Sequence, residues 1–457
     1  MKFNIFLSAL FFLQSLEVKS NQSTDKQASL TTTTCTKIPE IRTIATTEPA
    51  TIASLTIAGE CESRIWLFVT EAISPSENPQ NSQPEIQLRF TVEKNSSAFK
   101  ELGWLENRLL RIKSATSPVA NFLLEKKMWV VFYAKIDKNN ELVPTIAFIK
   151  PQIQNKNIDI QFAKLEPQKK FFSPVLLPHD GKVTVVWGES QNGESKISKA
   201  TIEPGAEAEI SKISFPAQDI LDRLVAGRKK DETIIAWLGE DMSLAGSESD
   251  CVSIYTITLN DEYSETKSEK SEGESSGADV GRDASRKGCE VIPEKISEPI
   301  CSEASLTGIR FVNEETFIDG MQGSGGKWKP FTLKVEKPPA KSKIKKEKSG
   351  VAYSNPFVSY TNVMLQLDGK GPSQAILSLG DISLPVSDNQ SYPPLALYLC
   401  EKEIIGAWVT KQNQSTPYIN YFDISLTDSD TDGILDEMDA CEGQETNNPY
   451  NPLNQKH

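Results

Sequence analysis

The chain has 457 residues, of which 38% are hydrophobic and 24% are charged. This length accommodates two or three ordinary domains or one large repeat domain. The formal net charge of −13 disfavours nucleic acids and anionic membranes as partners, because their own negative charge would be repelled.

Residues 1–20 have the pattern of a cleaved secretory signal. A basic start at Lys2 precedes an apolar stretch at residues 5–13, and Val18 and Ser20 take the third-last and last positions before the cleavage site. The apolar stretch is too short to cross a bilayer, and no later segment is a transmembrane candidate. Without residues 1–20, 47 basic and 61 acidic residues remain, a net charge of −14. We therefore expect a secreted protein, extracellular or at the cell surface, with the periplasm as the alternative.

A Thr/Ser-rich extended segment at residues 21–50 leads into a degenerate β repeat at residues 51–426. Each copy joins an apolar strand that carries an aromatic residue to a second strand in which apolar and polar residues alternate. The copies recur roughly every 50–60 residues. Their first strands are residues 64–69, 128–133, 182–187, 233–237, 308–312, 357–361 and 403–408.

Four-stranded units that repeat at this spacing resemble the blades of a β-propeller. The predicted fold class is therefore all-β and β-propeller-like, with about seven blades of antiparallel strands and a short calcium-binding loop at the C-terminus. Aromatic residues such as Trp187, Trp237 and Trp408 are expected to pack between neighbouring blades. Two or more β-sandwiches are the alternative, although they give no reason for a recurring tryptophan.

Other segments interrupt the repeat. Residues 261–290 are rich in Ser, Gly and Glu and predict a disordered loop. Residues 334–349 are rich in lysine and indicate either a solvated loop, a docking site for an acidic surface, or a partner for the acidic insertion. The apolar spacing at residues 216–226 predicts a helix that ends at Gly227.

Seven cysteines fit an oxidising compartment, and none forms the C-x-x-C motif of a zinc or redox site. The sequence leaves the connectivity open and one cysteine unpaired, and buried free thiols are the alternative. The candidate pairs are Cys35 with Cys61, Cys251 with Cys289 or Cys301, and Cys400 with Cys441.

The C-terminal segment, residues 427–457, contains a twelve-residue acidic loop at 428–439. Carboxylates at loop positions 1, 3, 5, 9 and 12 and a backbone carbonyl at position 7 are the ligand set of a calcium loop. Gly433 at position 6 permits the sharp turn. The predicted cofactor is Ca²⁺, because clustered carboxylates repel one another without a cation. The predicted metal ligands are Asp428, Asp430, Asp432, Ile434, Asp436 and Asp439.

Together with Cys441, this loop resembles a thrombospondin type 3 repeat, whose pattern is D-x-D-x-D-G-x-x-D-x-x-D-x-C. The resemblance covers residues 427–445 and implies calcium binding. An EF-hand would prefer glutamate at position 12 and a helix on each side, whereas residues 440–443 make a poor helix. A solvated acidic tail is the alternative.

The sequence identifies no catalytic or cofactor-binding residue. Its two histidines are His179, in a tight-turn sequence, and His457, the last residue. The glycine-rich residues 322–327 lack the spacing of a phosphate-binding loop and indicate a hairpin turn. A glycosidase would need two carboxylates in a cleft, and no such pair is distinguished.

These observations predict a secreted or surface-associated, monomeric, non-enzymatic binding or adhesion protein that binds calcium through its C-terminal loop. Its partner would be an extracellular protein or glycan. The first alternative is an extracellular propeller hydrolase or lyase that acts on glycan. The second is a structural spacer from a longer calcium-binding rod.

Overall fold

The computed structural model describes seventeen stretches of the chain. These are residues 39–45, 50–73, 83–165, 171–191, 194–206, 212–217, 224–240, 251–260, 294–312, 315–324, 327–335, 363–367, 374–379, 382–387, 391–399, 403–412 and 416–425. All of them belong to the second of two compact units, Thr36–His457; the first unit, Met1–Cys35, lies outside the described residues.

The described strands form seven antiparallel sheets, here called blades 1–7. Blade 1 contains β2 (Thr51–Glu60), β3 (Ile65–Ile73), β4 (Pro84–Val92) and β5 (Leu109–Lys113). Blade 2 contains β6 (Ala115–Leu123), β7 (Met128–Ile136), β8 (Leu142–Gln152) and β9 (Asn157–Lys164). Blade 3 contains β10 (Phe171–His179), β11 (Lys182–Gln191), β12 (Glu194–Ile202) and β13 (Lys212–Ala217). Blade 4 contains β14 (Val225–Lys229), β15 (Glu232–Glu240), β16 (Val252–Asn260) and β17 (Glu294–Lys295).

The remaining blades complete the repeat. Blade 5 contains β18 (Glu303–Val312), β19 (Glu315–Ser324) and β20 (Lys327–Val335). Blade 6 contains β21 (Val363–Leu367), β22 (Ala375–Leu379) and β23 (Ile382–Pro385). Blade 7 contains β24 (Ser391–Leu399), β25 (Glu403–Gln412), β26 (Thr416–Ser425) and β1 (Arg42–Ala45). One short helix, α1 (Phe99–Leu102), and two 3₁₀ turns, Gly103–Leu105 and Leu124–Lys126, complete the described elements.

Successive blades are arranged around their first strands. The first strands contact one another in the order β21, β24, β2, β6, β10, β14 and β18, so each is the innermost strand of its blade. Strand β1 lies within the segment predicted to be extended and pairs with β26, with Arg42 opposite Tyr421. It therefore supplies the outermost strand of the last blade. The prediction of an all-β, propeller-like fold with about seven blades is confirmed.

Buried tryptophans connect each of five blades to the blade before it. Trp66 packs on blade 7, Trp129 on blade 1, Trp187 on blade 2, Trp237 on blade 3 and Trp408 on blade 6. All five are at most 1% exposed. A fully buried aromatic side chain contributes about 1.5–3 kcal/mol through burial alone. The recurring aromatic residues thus form the core between blades, as the sequence predicted.

The helix predicted at residues 216–226 is wrong at its two described ends, and residues 218–223 lie outside the described residues. Its first residues lie in β13, and Val225 and Gly227 lie in β14, which pairs with β15. Val225 and Ala226 are fully buried between neighbouring blades. Tertiary packing therefore overrides a short helical spacing, as it commonly does for weak helix signals.

Several other predictions fall partly or wholly outside the described residues. The signal sequence and the insertion at 261–290 do so completely. Of the lysine-rich segment 334–349, Lys334 and Val335 end β20, and the Lys334 ammonium pairs with the Glu315 carboxylate of the same blade. Cys251 is bonded to Cys301 rather than to Cys289. Cys61 is also disulfide-bonded.

Candidate functional site

β-Bulges recur in the innermost strands. They lie between Ile52 and Ser54, Thr116 and Val119, Phe172 and Val175, Leu306 and Gly308, and Tyr392 and Leu395. A bulge redirects the side chains beside it and is frequent next to functional sites. We call the end of the propeller where innermost strands begin and second strands end the upper end. In β2, β6, β10 and β24 the bulge lies near that end.

Two of these bulges share the sequence Ser-Pro-Val, at residues 117–119 and 173–175. Ser117 and Ser173 have φ values of 54° and 47°, in the left-handed region that non-glycine residues rarely adopt. Each following proline has no backbone N–H, so its place in a bulge sacrifices no ladder hydrogen bond. The repeated motif therefore marks a constrained turn of the backbone in the innermost strands of blades 2 and 3.

Glu71 lies beside the first of these turns. It is near the upper end of β3, on the face packed against blade 2, and is 9% exposed. The Thr116 hydroxyl donates a 2.6 Å hydrogen bond to Glu71 Oε1, and the Ser117 backbone N–H donates a 2.9 Å bond to Oε2. The carboxylate is thus held across the junction of blades 1 and 2. Each oxygen has a second lone pair for a further donor.

Tyr133 is the second reactive group at this junction. The register of β6 and β7 places it opposite the Ser117–Pro118 bulge, because Thr116 pairs with Ala134 and Val119 with Phe132. Its ring belongs to the core between blades 1 and 2 and is 2% exposed. Burial raises the pKa of the Tyr133 hydroxyl to about 12, since the phenolate would lose its hydration. The phenol is protonated near neutral pH, as an ordinary tyrosine is, and stays protonated further into the alkaline range.

Glu189 is a comparable acid in blade 3. It is 5% exposed, lies near the upper end of β11, and accepts a 2.5 Å hydrogen bond from the Ser198 hydroxyl of the same blade. Strand alternation places Glu189 on the face of Trp187, which packs on blade 2. Ser198 belongs to the same blade as Glu189, whereas Thr116 and Ser117, which bond to Glu71, belong to the neighbouring blade.

The residues predicted as calcium ligands, residues 428–439, lie outside the described residues. Within the described ranges, no group of three or more His, Cys, Asp and Glu side chains is arranged to hold a metal. His179 ends β10, followed by Asp180 and Gly181 with positive φ, and its Nε2 lies 2.8 Å from Thr184 Oγ1. It therefore occupies a hairpin turn at the lower end, away from the bulges near the starts of the innermost strands.

Neither Glu71 nor Tyr133 lies in a sequence pattern that predicts a catalytic residue. One signal was available for Glu71. Every other residue of the Ile65–Ile73 strand except Thr70 is apolar, so a glutamate there must be buried or partnered. Its partners, Thr116 and Ser117, are 45 and 46 positions away and become neighbours only in the fold.

No model of a known protein family matches the sequence, and no curated protein matches it. Among solved structures, the chain is similar to a Trypanosoma rangeli sialidase, with 7% identity, a TM-score of 0.36, and coverage of 85% of this chain and 57% of that one. The NanB sialidase of Streptococcus pneumoniae gives 8% identity, a TM-score of 0.37, and coverage of 85% of this chain and 70% of that one. A thermostable family-43 glycoside hydrolase gives 12% identity, a TM-score of 0.30, and coverage of 67% of this chain and 99% of that one.

These comparisons correct the predicted function. A non-enzymatic binding or adhesion role, and with it the expectation that the chain is not an enzyme, is contradicted because these neighbours are glycoside hydrolases. The chain spans a little over half the length of the Trypanosoma rangeli sialidase. At identities of 7–12%, the activity of this chain has to be argued from its own residues.

No helix among the described residues has the length and apolar character needed to cross a membrane.

Proposed function

We propose that this protein is an extracellular propeller enzyme that hydrolyses glycosidic bonds, with Glu71 as a catalytic carboxylate. The observation that supports this proposal is the position of Glu71, held by Thr116 and Ser117 of the neighbouring blade beside an innermost-strand bulge. The signal pattern of residues 1–20 and the Cys251–Cys301 disulfide support the extracellular location.

The chemistry of glycoside hydrolysis explains why such a carboxylate is useful. The glycosidic C–O bond breaks through a positively charged, oxocarbenium-like transition state, and a carboxylate stabilises or attacks that carbon. Donors that fix the carboxylate in advance avoid reorganisation during the reaction. The Thr116 hydroxyl and the Ser117 N–H supply this orientation for Glu71.

Tyr133 is proposed as a hydrogen-bond donor to the substrate. Its hydroxyl is protonated at neutral pH, as a tyrosine ordinarily is, and burial raises its pKa further, to about 12. A protonated phenol donates to a sugar oxygen. We therefore assign it a positioning role and expect its loss to weaken catalysis less than the loss of Glu71.

The experiment measures hydrolysis of a panel of chromogenic aryl glycosides, with neutral and acidic sugars, by the purified protein. For any glycoside that is cleaved, Glu71→Gln is expected to lower kcat/KM by about 10²–10⁴-fold. Tyr133→Phe should lower it by about tenfold, the effect of one neutral hydrogen bond. Glu189→Gln is the matched control, a buried acid that accepts a hydrogen bond from a serine of its own blade, and should leave the rate unchanged.

The proposal fails if the wild-type protein cleaves no glycoside in the panel. It also fails if Glu71→Gln, shown by circular dichroism to be folded, retains full activity. If Glu189→Gln lowers kcat/KM as much as Glu71→Gln does, the loss of activity reflects general destabilisation of the blades and not a catalytic role of Glu71.

We also propose that the C-terminal loop binds Ca²⁺. The carboxylates of Asp428, Asp430 and Asp432, followed by Gly433, have the spacing that a calcium loop requires, and Asp436, Asp439 and the Ile434 carbonyl complete the ligand set. An isolated loop of this kind is expected to bind with a dissociation constant of about 10⁻⁴–10⁻³ M.

Calorimetric titration of residues 21–457 with CaCl₂ tests the loop. Asp432→Ala should abolish saturable binding, whereas Glu125→Ala, which removes one exposed acid elsewhere, should not. If the wild-type protein shows no heat up to several times the expected dissociation constant, the segment is an acidic tail.

A further inference from the structure

We propose that blade 1 carries an oxyanion-binding site on the face turned towards blade 7, formed by Arg89 and Arg111 together with Gln87. Its ligand is a sulfate, phosphate or carboxylate group. This site is separate from the junction of blades 1 and 2 that holds Glu71, and the proposal does not depend on glycosidase activity.

Arg89 lies in β4 and is only 5% exposed. Its one hydrogen bond is a long one, 3.4 Å from Nη2 to Gln87 Oε1, and its buried Nε has no partner in the part of the chain that the structure describes. No described carboxylate pairs with it. A buried guanidinium in this condition is unusual, because an unpaired charge in the interior is strongly disfavoured.

Arg111, in the adjacent strand β5, adds a second guanidinium. Its Nη1 lies 3.3 Å from Glu85 Oε1, which also accepts a 3.2 Å hydrogen bond from Gln87 Nε2. Burial, followed by repulsion from Arg111, lowers the pKa of Arg89. Arg89 thus lies beside a second guanidinium and pairs with no described carboxylate, in a chain whose net charge is −13.

Among its described residues, the opposing blade supplies no counter-charge to Arg89. Alternation along β4 places Arg89 and Thr91 on the face opposite to Leu88 and Phe90, which pack on blade 2. The neighbours towards blade 7 are aromatic: Phe68 pairs with Arg89 in register, and its ring lies 4.9 Å from that of Tyr421. The acids of this interface, Glu93 and Asp423, are bound by Arg42.

An oxyanion would satisfy this cluster. A guanidinium binds a carboxylate, sulfate or phosphate through two parallel N–H donors, and such charge-assisted bonds are about twice as strong as neutral ones. The Gln87 side chain, bonded to both Arg89 and Glu85, holds the two sides of the cluster together. The Arg89 guanidinium, which no described carboxylate pairs with, therefore offers its N–H donors to one anionic group.

Titration of the purified protein with sodium sulfate at constant ionic strength, with chloride as the balancing anion, tests the proposal. We expect saturable binding of one sulfate, and a rise in Tm with sulfate that chloride does not reproduce. Arg89→Met should weaken the binding by about tenfold or more, the loss of a charge-assisted hydrogen bond. Arg108→Met, which removes an exposed arginine next to β5, should bind as the wild type does.

The stability of Arg89→Met provides a second test. Without sulfate, Arg89→Met should be at least as stable as the wild-type protein, because it removes an unpaired buried charge. If Arg89→Met does not fold, Arg111→Met carries the binding test, with the same expected loss. The proposal is overturned if neither sulfate nor phosphate binds, or if the folded variant binds with unchanged affinity.

A parallel titration with glucose 6-sulfate identifies the source of the oxyanion. Tighter binding of glucose 6-sulfate than of inorganic sulfate assigns the site to a sulfated sugar, and equal affinity assigns it to the free ion. Glucose serves as the uncharged control and should not bind at this site.

Discussion

The Arg42 guanidinium lies 3.4 Å from the Asp423 carboxylate, although the two residues are 381 positions apart. Arg42 also pairs with Glu93, which follows the third strand of blade 1. Arg64, in the turn between β2 and β3, bonds to Glu403 of blade 7 at 2.6 Å. The first and last blades are therefore joined by arginines at the lower end, where the two ends of the described chain meet.

Replacing Arg42 by methionine should weaken this junction. The change leaves two carboxylates, each with a side chain only 9% exposed, without their cation. Burial opposes the charge of Arg42, but the carboxylates of Asp423 and Glu93 raise its pKa above the usual value, so the ion pairs prevail. We expect the free energy of unfolding to fall by about 3 kcal/mol, measured by urea denaturation. Arg108→Met should change it by less than about 0.5 kcal/mol; a loss below about 1 kcal/mol in Arg42→Met would contradict the assignment.

Tyr398 should make the fold sensitive to alkali. Its hydroxyl donates a 3.3 Å hydrogen bond to the Gly59 carbonyl of blade 1, and burial raises its pKa from 10.0 to about 12. Between these values the unfolded chain loses the phenolic proton while the folded protein keeps it, so the free energy of unfolding falls as pH rises. The pKa difference of about 2 corresponds to a loss of about 3 kcal/mol in the free energy of unfolding.

The measurement compares the unfolding free energy of the wild-type protein and Tyr398→Phe from pH 9 to 12. The difference between them should shrink above pH 10, because the variant has no proton to lose there. A difference that does not change with pH would show that Tyr398 ionises equally in both states.

Three glycines stand directly across a strand pair from an aromatic ring that covers them: Gly59 from Trp66, Gly320 from Phe331 and Gly406 from Phe422. A Cβ at Gly406 would clash with the Phe422 ring, whereas a Cβ at Gly308 would meet no atom within 4 Å. Gly406→Ala should therefore destabilise the fold by about 1–3 kcal/mol through overpacking. Gly308→Ala is the matched control and should be neutral within about 0.5 kcal/mol in the same denaturation assay. Equal effects of the two changes would show that the ring moves aside without cost.

The architecture was readable from the sequence because each blade repeats the same local pattern. The strands around Trp187, Trp237 and Trp408 have β-branched runs and hairpin spacings that need no distant information. The position of each tryptophan along its strand could not be predicted. Trp187 lies opposite an innermost-strand bulge near the upper end, whereas Trp66 lies near the lower end of its strand. A bulge adds a residue to one strand of a pair. It can be recognised only from the register with the partner strand, which the sequence of one strand does not contain.

The candidate site could not be predicted in the same way. Glu71 becomes distinctive only when Thr116 and Ser117 approach it across a blade junction. Arg89 is unusual because no described carboxylate pairs with it, and that is a property of the packed structure. The calcium loop is the reverse case: its ligands are close together in sequence, so their spacing alone predicts the site.

The Cys251–Cys301 disulfide should stabilise blade 4 mainly by restricting the unfolded chain. The two residues are 50 positions apart, which corresponds to about 4 kcal/mol in the loop-entropy estimate. In the folded state the same contact is already held by two backbone hydrogen bonds between Val252 and Ile300, of 3.0 and 2.7 Å. The double variant Cys251→Ser/Cys301→Ser should therefore keep the strand pairing and lose about that free energy of unfolding.

Urea denaturation of the double variant measures the loss, and circular dichroism shows whether the strands persist. The substitution is preferable to a reductant, because Cys61 is disulfide-bonded as well and would be reduced at the same time. A loss near 4 kcal/mol with an unchanged β spectrum supports the entropic origin, since the native contacts around Val252 remain. A loss below about 1 kcal/mol would mean that the unfolded chain already keeps these segments close together.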